Sequence, residues 1–472
     1  MEKELPAGWV WSQIGEVAET SLGKMLDKAK STGQYATPYL RNVNVQWGRI
    51  DLDDILTMDI LPAERDFYRL RDGDLLVCEG GEIGRCAIWR GGSQYMAYQK
   101  ALHRIRPSDA VTVGYLRYYL EHLALNGTLA KFSTGSTIKH LPQQRIREIP
   151  LAIPPVAEQH RIVDTLEDHL SRLDSGTAGL SRTSRRLVQL NQQLIRSAVE
   201  VNGESREETS LGAVATTVKN GIFVSRPDSE PSGVPILRIG AVRTLHLDTS
   251  DVRYTGLDED SPAVVNALLS PGDLLFTRYN GNPEYVGACA VVPDSIAALT
   301  YPDKLIRVIV DREKALPEYV ALACSGGTSR QYIRQCVKTT AGQAGISGRE
   351  IRSVPLSLPS LEEQQRRIDR YRETSTAVAA LRGEISKATV RARHLQSALL
   401  ARTFSGRLVP QDPTDASAAQ ALARVQAERA TRSSLKRTRR PRVSKPAAAY
   451  SPPPPSAATP LPATAVQQEF EL

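Results

Sequence analysis

The chain is poor in the residues that organise small secreted or metal-bound folds. Its five cysteines (Cys78, Cys86, Cys289, Cys324, Cys336) are odd in number and form no CxxC pair. That excludes a disulfide framework and a structural zinc site as organising devices, and it fits a reducing, cytoplasmic compartment. No run of about 18 apolar residues exists, so no spanning helix and no membrane partner are expected. The N-terminus, MEKELPAGWVWSQ, lacks the apolar stretch of a signal peptide. Seven scattered histidines (His103, His122, His140, His160, His169, His246, His394) form no HxxxH pair, so no metal is expected. A GxSxG elbow and a GxxxxGK[ST] phosphate loop are both missing, which removes serine hydrolases and P-loop nucleoside triphosphatases. Gly80-Gly81-Glu82-Ile83-Gly84 lacks the GxGxxG spacing and leads into Cys86-Ala87-Ile88-Trp89, which reads as a strand; it is a turn. Asn282-Pro283-Glu284-Tyr285 resembles the adenine-holding motif of amino-methyltransferases, but its third residue is Glu and no cofactor loop accompanies it.

What remains is long and duplicated. At 472 residues, 41% hydrophobic and 24% charged, the chain has material for two to four domains. Its net charge of +8 is concentrated at the end. Eight Lys/Arg and two acids lie from Arg429 onward, leaving +2 over the first 428 residues. Bulk charge therefore does not by itself mark the folded body as a nucleic-acid binder.

The repeat has a period near 200. Pro38-Tyr39-Leu40-Arg41 returns 197 positions later as Pro235-Ile236-Leu237-Arg238, and Gly73-Asp74-Leu75-Leu76 returns 199 later as Gly272-Asp273-Leu274-Leu275. Ile146-Arg147, Pro150-Leu151, Pro154, Glu158-Gln159 and Arg161 all return 205 later, from Ile351-Arg352 to Arg366. Loop lengths vary early while the last block stays rigid. Each copy holds about 150 residues of short β-like runs cut by Gly, Pro, Asn and Asp, then a Pro-flanked apolar strand, then a long helical pattern.

Leu166, Leu173, Leu180, Leu187 and Leu194 recur every seven residues, and Tyr371, Val378, Ile385, Ala392 and Leu399 do so in the second copy. Thr374, Leu381, Ala388 and Leu395 complete an alternating seam there; His169, Gly176, Thr183 and Leu190 are their less apolar counterparts. Such stripes describe coiled-coil helices, and two in one chain are expected to bury each other as an antiparallel pair. Glu158–Val199 would span about 63 Å if fully helical. Gly176 and Gly179 would each cost about 1 kcal/mol there against Ala and favour local fraying.

The candidate recognition residues are polar. The stretches Ser133–His140, with Ser136, Thr137 and Lys139, and Thr339–Ser347, with Gln343 and Ser347, are hydroxylic and glycine-rich at equivalent places in the two copies. Such loops can approach a sugar-phosphate backbone, and they can equally be ordinary turns. Arg41, Asn42, Asn44, Arg238, Arg278, Tyr279 and Asn280 are further candidates, Arg and Asn having donor geometry suited to guanine and adenine edges; each alone is more often an exposed loop residue or an ion-pair partner, and the set carries the reading.

At the repeated proline–helix block the chain resembles a known family. IREIPLAIPPVAEQHRIV and IRSVPLSLPSLEEQQRRI are similar to the two repeated regions of the specificity subunits of type I restriction–modification enzymes. GWVWSQIGEVAE, the GDLL strands, TRYNGNPEYVG and ALLARTFSGRLVPQDP extend the resemblance from about Leu5 to Ala430. It implies an α+β architecture with two tandem β-rich target-recognition domains, at 5–155 and 207–360. Each is followed by a spacer helix, at 156–203 and 361–406, and a C-terminal helical extension follows at 407–430. The basic, Pro/Ala-rich stretch 431–472 reads as a disordered tail. The resemblance further implies a non-catalytic subunit that reads a split target in double-stranded DNA. Two modification subunits using S-adenosylmethionine would methylate adenine, and restriction subunits using ATP and Mg2+ would cleave. This chain would bind no cofactor itself. A stand-alone DNA-binding regulator is the alternative, though no helix-turn-helix pattern is present.

Overall fold

The computed structural model describes residues 5–27, 32–135, 139–200, 207–340 and 342–438, without the side chains of Thr340 and residues 432–438. The chain divides into two compact units, one of residues 1–165 with 400–472 and one of residues 166–399.

Each unit is built on the same four-stranded antiparallel sheet. In the first unit the order is Ala18–Leu22, Leu102–Pro107, Leu75–Cys78, Cys86–Ile88; in the second it is Ala215–Asn220, Leu305–Val310, Leu274–Thr277, Cys289–Val291. A separate two-stranded ribbon joins Val10–Gln13 to Pro150–Ile153, and its counterpart joins Glu207–Ser210 to Pro355–Leu358. The repeated GDLL motif forms the third strand of each sheet. Gly73 and Gly272 both sit at φ +84°, which favours glycine. Asp74, almost fully buried, takes a two-pronged contact from Arg106 at 2.7 and 2.8 Å, and Asp273 takes Arg307 at 2.8 Å. In each case the other strand-side function of the carboxylate is to accept a backbone N–H, from Arg71 or Ser270. The four following residues, Leu75–Cys78 and Leu274–Thr277, are buried throughout, so these strands read as continuous apolar runs.

The long helices are Val156–Val199 and Leu361–Thr403. Gln159 and Gln364, both fully buried in their first turns, fasten each helix to its own unit. Gln159 accepts the Thr112 N–H and donates to the carbonyls of Ala110 and Pro154; Gln364 accepts the Leu316 N–H and donates to Pro359. The first helix continues unbroken through Gly176 and Gly179, so the fraying expected there is absent. Within the second unit, contacts between the two helices run in opposite directions: Arg367 donates to the carbonyls of Ala198 and Glu200, Tyr371 bonds Asn191, and Ala392 and Leu395 flank Leu173 and Gly176.

The seam differs from the expected one. Leu166, Leu187 and Val378 are buried, and Leu173, Leu180, Leu194, Ile385 and Leu399 are partly buried, but Leu381 and Leu395 remain 55% and 57% exposed. In the first helix the companion layer lies four residues after each heptad position, not three: Leu170, Thr177, Ser184, Asn191 and Ala198; in the second, Ser375, Thr389 and Gln396 do the same, while Arg382 is exposed and the expected Ala388 is partly buried. Most of that layer is polar, so hydrophobicity alone pointed to the wrong neighbouring position.

The helix ends close the units in equivalent ways. Ile195 lies against Gly326 and Val199 against Gly327 in the second unit. In the first, Leu400 is fully buried and Phe404 meets the rings of Tyr115, Tyr119 and His122 at 5.1–5.4 Å. Arg161 grips Asp415 at 2.6 and 3.2 Å, and Arg429, on the C-terminal helix, donates to the Gly15 carbonyl. That helix spans Ala418–Thr438, eight residues beyond the boundary expected at 430; residues 439–472 lie outside the described residues.

Truncating the buried Leu187 to Ala is expected to destabilise the second unit by about 2–4 kcal/mol. Leu381→Ala, off the seam, should stay within about 0.5 kcal/mol. Urea-unfolding midpoints of the two variants check this.

Candidate nucleic-acid interface

In each unit the turn after the GDLL strand meets the polar stretch predicted near its end. In the first unit Gly80 bridges His140, and His140 exchanges backbone hydrogen bonds of 2.8 and 2.9 Å with Thr134. Asn42 donates its amide to the Gly80 carbonyl at 2.8 Å, and Arg85 donates to the Asn42 carbonyl. Asn42 and the exposed Lys139 therefore belong to one cluster with Gly80 and His140. Ser136 and Thr137 lie outside the described residues.

In the second unit the same meeting forms a three-stranded sheet. Tyr279–Asn280 pairs with Gln343–Gly345, which pairs with Lys338–Thr340 across a turn at Gly342 (φ +80°). Arg278 donates to the Asp303 carbonyl and lies over the Tyr279 ring at 4.7 Å, with Lys304 on that ring at 5.4 Å. Asn280 accepts the Asn282 N–H and Asn282 accepts the Glu284 N–H, so successive side chains stiffen the loop. Arg334 and Arg330 hold the far side, on the Glu284 carboxylate and backbone carbonyl. The Asn282-Pro283-Glu284-Tyr285 segment is thereby a braced turn, with the Asn282 side chain committed to its own backbone and the Glu284 carboxylate to the neighbouring helix. Arg278, Tyr279, Asn280 and the exposed Gln343 come together; Lys304 and the Arg243–Tyr285 stack at 4.6 Å were missed. Of these only Tyr285 had a sequence signal, in the aromatic-bearing run TRYNGNPEY; Lys304 and Arg243 lie outside that run.

Other candidates serve the fold. Asn44, 2% exposed, accepts the Arg41 N–H and donates to the carbonyls of Asp51 and Asp54, so it cannot reach a base. Ser347 caps the helix Gly348–Arg352 through reciprocal bonds with Glu350. Arg41 pairs with Asp54 at 2.5 Å and Arg238 with Asp251 at 2.7 Å. The repeated arginine thus carries a repeated partner 13 residues on, the structural alternative held open for it.

Burial removes reactive chemistry from the nearby core. The Cys78 thiol is pushed up to about 11 by desolvation, and Cys86 and Cys289 are raised too. His103, fully buried, donates from Nε2 to the Leu141 carbonyl at 2.7 Å, next to the Thr134–His140 bridge. Desolvation holds its pKa below the ordinary 6.5.

Asn44→Ala should destabilise the first unit by about 1–3 kcal/mol, because it strands buried backbone groups, whereas Gln343→Ala should leave stability within about 0.5 kcal/mol. Thermal melts of both variants test the division between fold and surface. For His103, the unfolded chain takes up a proton before the folded one as pH falls. Stability of the first unit should therefore decline below about pH 6.5, and His103→Gln should lose that slope in urea titrations across pH 5–8.

Comparison with known proteins adds an independent line. Residues 6–179 match the family model described as the type I restriction modification DNA specificity domain. The specificity subunit of the type I restriction enzyme EcoKI from Escherichia coli K12 is 28% identical over 93% of this chain and 99% of its own length. The StySPI specificity subunit from Salmonella potsdam is 22% identical over the same shares. A solved chain from a study of assembly and conformational transition in a type I restriction–modification system superposes with a TM-score of 0.64, at 18% identity, over 86% of this chain and all of that one. The duplicated architecture and these matches agree: residues 6–179 match the DNA specificity domain, and along most of its length the chain is similar to type I restriction–modification specificity subunits.

Proposed function

We propose that this chain is the non-catalytic reader of a bipartite double-stranded DNA target, each unit taking one half. The observation that carries the reading is the duplicated loop cluster: two sheets of identical strand order each bring a polar hairpin against the turn after the GDLL strand. Phosphate contacts set register in such an interface and base-edge contacts set sequence. Lys139 and Asn42 in the first unit, and Arg278, Asn280, Lys304 and Gln343 in the second, supply the donors.

The two long helices act as an antiparallel coiled-coil spacer between the half-sites, which is supported by the oppositely directed contacts of Arg367 and Tyr371 with the end of the first helix. Two sites on one chain also raise the effective concentration of the second once the first is bound. Two modification subunits carry S-adenosylmethionine and methylate adenine, and restriction subunits with ATP and Mg2+ cleave. This chain supplies the sequence choice, in the cytoplasm where the DNA lies. Among the described residues no helix is long and apolar enough to cross a membrane.

The test is methylation mapping by long-read sequencing in a methylation-free host. One culture carries this chain with its modification subunit, the other the modification subunit alone. Adenine methylation at a single split motif, present only with this chain, is the expected result. Tight sequence-specific binding by the isolated chain, with no methylation motif in the complex, would favour a stand-alone regulator instead.

A further inference from the structure

Both units leave a large apolar side chain in solvent at the same place. Phe223 is 73% exposed and Met25 is 61% exposed. A single exposed apolar residue needs no explanation. Two at equivalent points of a duplicated fold, each held by the same backbone device, do.

The device begins at a glycine that ends the first strand of the sheet. A Cβ on Gly221 would stand 2.1 Å from the Tyr301 carbonyl oxygen, and one on Gly23 would stand 2.3 Å from that of Tyr98. No other residue fits there without moving backbone, so the chain is pressed against the neighbouring segment. The next residue then forms a parallel bridge, Ile222 with Pro302 and Lys24 with Gln99. Ile222 donates to Tyr301 and accepts from Asp303; Lys24 donates to Tyr98 and accepts from Lys100. The apolar side chain follows immediately. Its backbone position is therefore specified from both sides, while its own side chain is left without a packing partner in the core.

The segment that holds it also carries the candidate interface. In the second unit Arg278 bonds the carbonyls of Asp303 and Lys304, and the Ile346 N–H bonds Arg278. In the first unit the Glu79 N–H bonds Ala101, and Leu141 bonds Glu79. The order is the same in both: apolar residue, basic-bearing segment with Lys304 or Lys100, turn after the GDLL strand, polar hairpin. Lys219 and Arg226 are exposed on either side of Phe223. Of the acids nearby, Asp303, whose N–H bonds the Ile222 carbonyl, is paired with Lys304, and Asp228 accepts the Ser232 hydroxyl. An apolar tip among cations suits a polyanion whose interior is apolar, and Phe and Met are among the side chains that wedge between base steps.

Building on the DNA-reading role proposed above, we propose that Phe223 and Met25 are DNA wedges, one per half-site, that enter the groove beside the polar hairpin and pack against a base step. They anchor each unit on its half-site through stacking, and the hairpin reads the neighbouring base edges.

The experiment uses the full chain co-expressed with its modification subunit, and duplexes of the motif found by methylation mapping. 2-Aminopurine is placed stepwise through each half-site. With the wild-type complex, fluorescence should rise at one step per half-site. Phe223→Ala should remove the rise in one half-site only and weaken motif binding about tenfold or more; Met25→Ala should do so in the other. Phe223→Leu should restore most of the affinity, and circular dichroism should show unchanged folding for these exposed positions. Unchanged affinity and fluorescence in both Ala variants would overturn the proposal. Loss of the modification subunit on size exclusion, with DNA affinity retained, would overturn it by assigning the tips to a protein partner. A wild-type complex that binds no split duplex would instead bring down the DNA-reading role on which the wedge rests.

Discussion

The arrangement depends on two buried amides. Gln159 and Gln364 sit in the first turn of each long helix, where a helix has backbone donors without partners and its direction is easily changed. Each amide spans loop and helix together, accepting from one segment and donating to another. A hydrophobic contact at that place would hold the helix to its unit without fixing its heading. The directed bonds fix both, and a buried amide left half-satisfied costs more than the bonds it makes contribute. Any function that needs a unit's surface at a set angle to its helix passes through this joint.

What was legible in the sequence follows from what repeats. The GDLL strands, the proline-flanked ribbons and the Glu-Gln helix starts appear twice because each solves a backbone problem: a turn at positive φ, a carboxylate for a buried arginine, an anchor for a helix. Such solutions admit few residues, and duplication makes them visible. The heptad stripe was equally plain, yet its companion layer was misplaced. Leu381 and Leu395 drew attention through hydrophobicity, while the inward positions are Ser, Thr, Asn and Gln. A polar seam gives no signal to a method that counts apolar residues.

The recognition residues were partly legible for a related reason. Asn44 and Ser347 have the chemistry of base or phosphate contacts, but the same short polar groups are the ones that cap helices and close turns. Sequence cannot separate the two uses; burial and partner geometry do. Lys304 escaped notice because it lies 25 positions from Tyr279 and meets that ring only in the fold. The extension of the last helix to Thr438 was hidden by its basic composition, which resembles that of a tail.

The buried Asp–Arg pairs have a consequence for how such proteins change. Asp74 with Arg106 and Asp273 with Arg307 stabilise each sheet from within, each aspartate sitting just before its strand and also held by the N–H of the preceding turn, while the polar stretches ending at His140 and Gly345 take no part in these pairs. Folding and reading are thereby assigned to different parts of the chain. Mutations can accumulate in the hairpins without threatening the scaffold, and one unit can drift while its sibling stays as it was. The two copies share the frame and its strand order, so a change in the hairpins of one unit leaves the sheet of the other as it was.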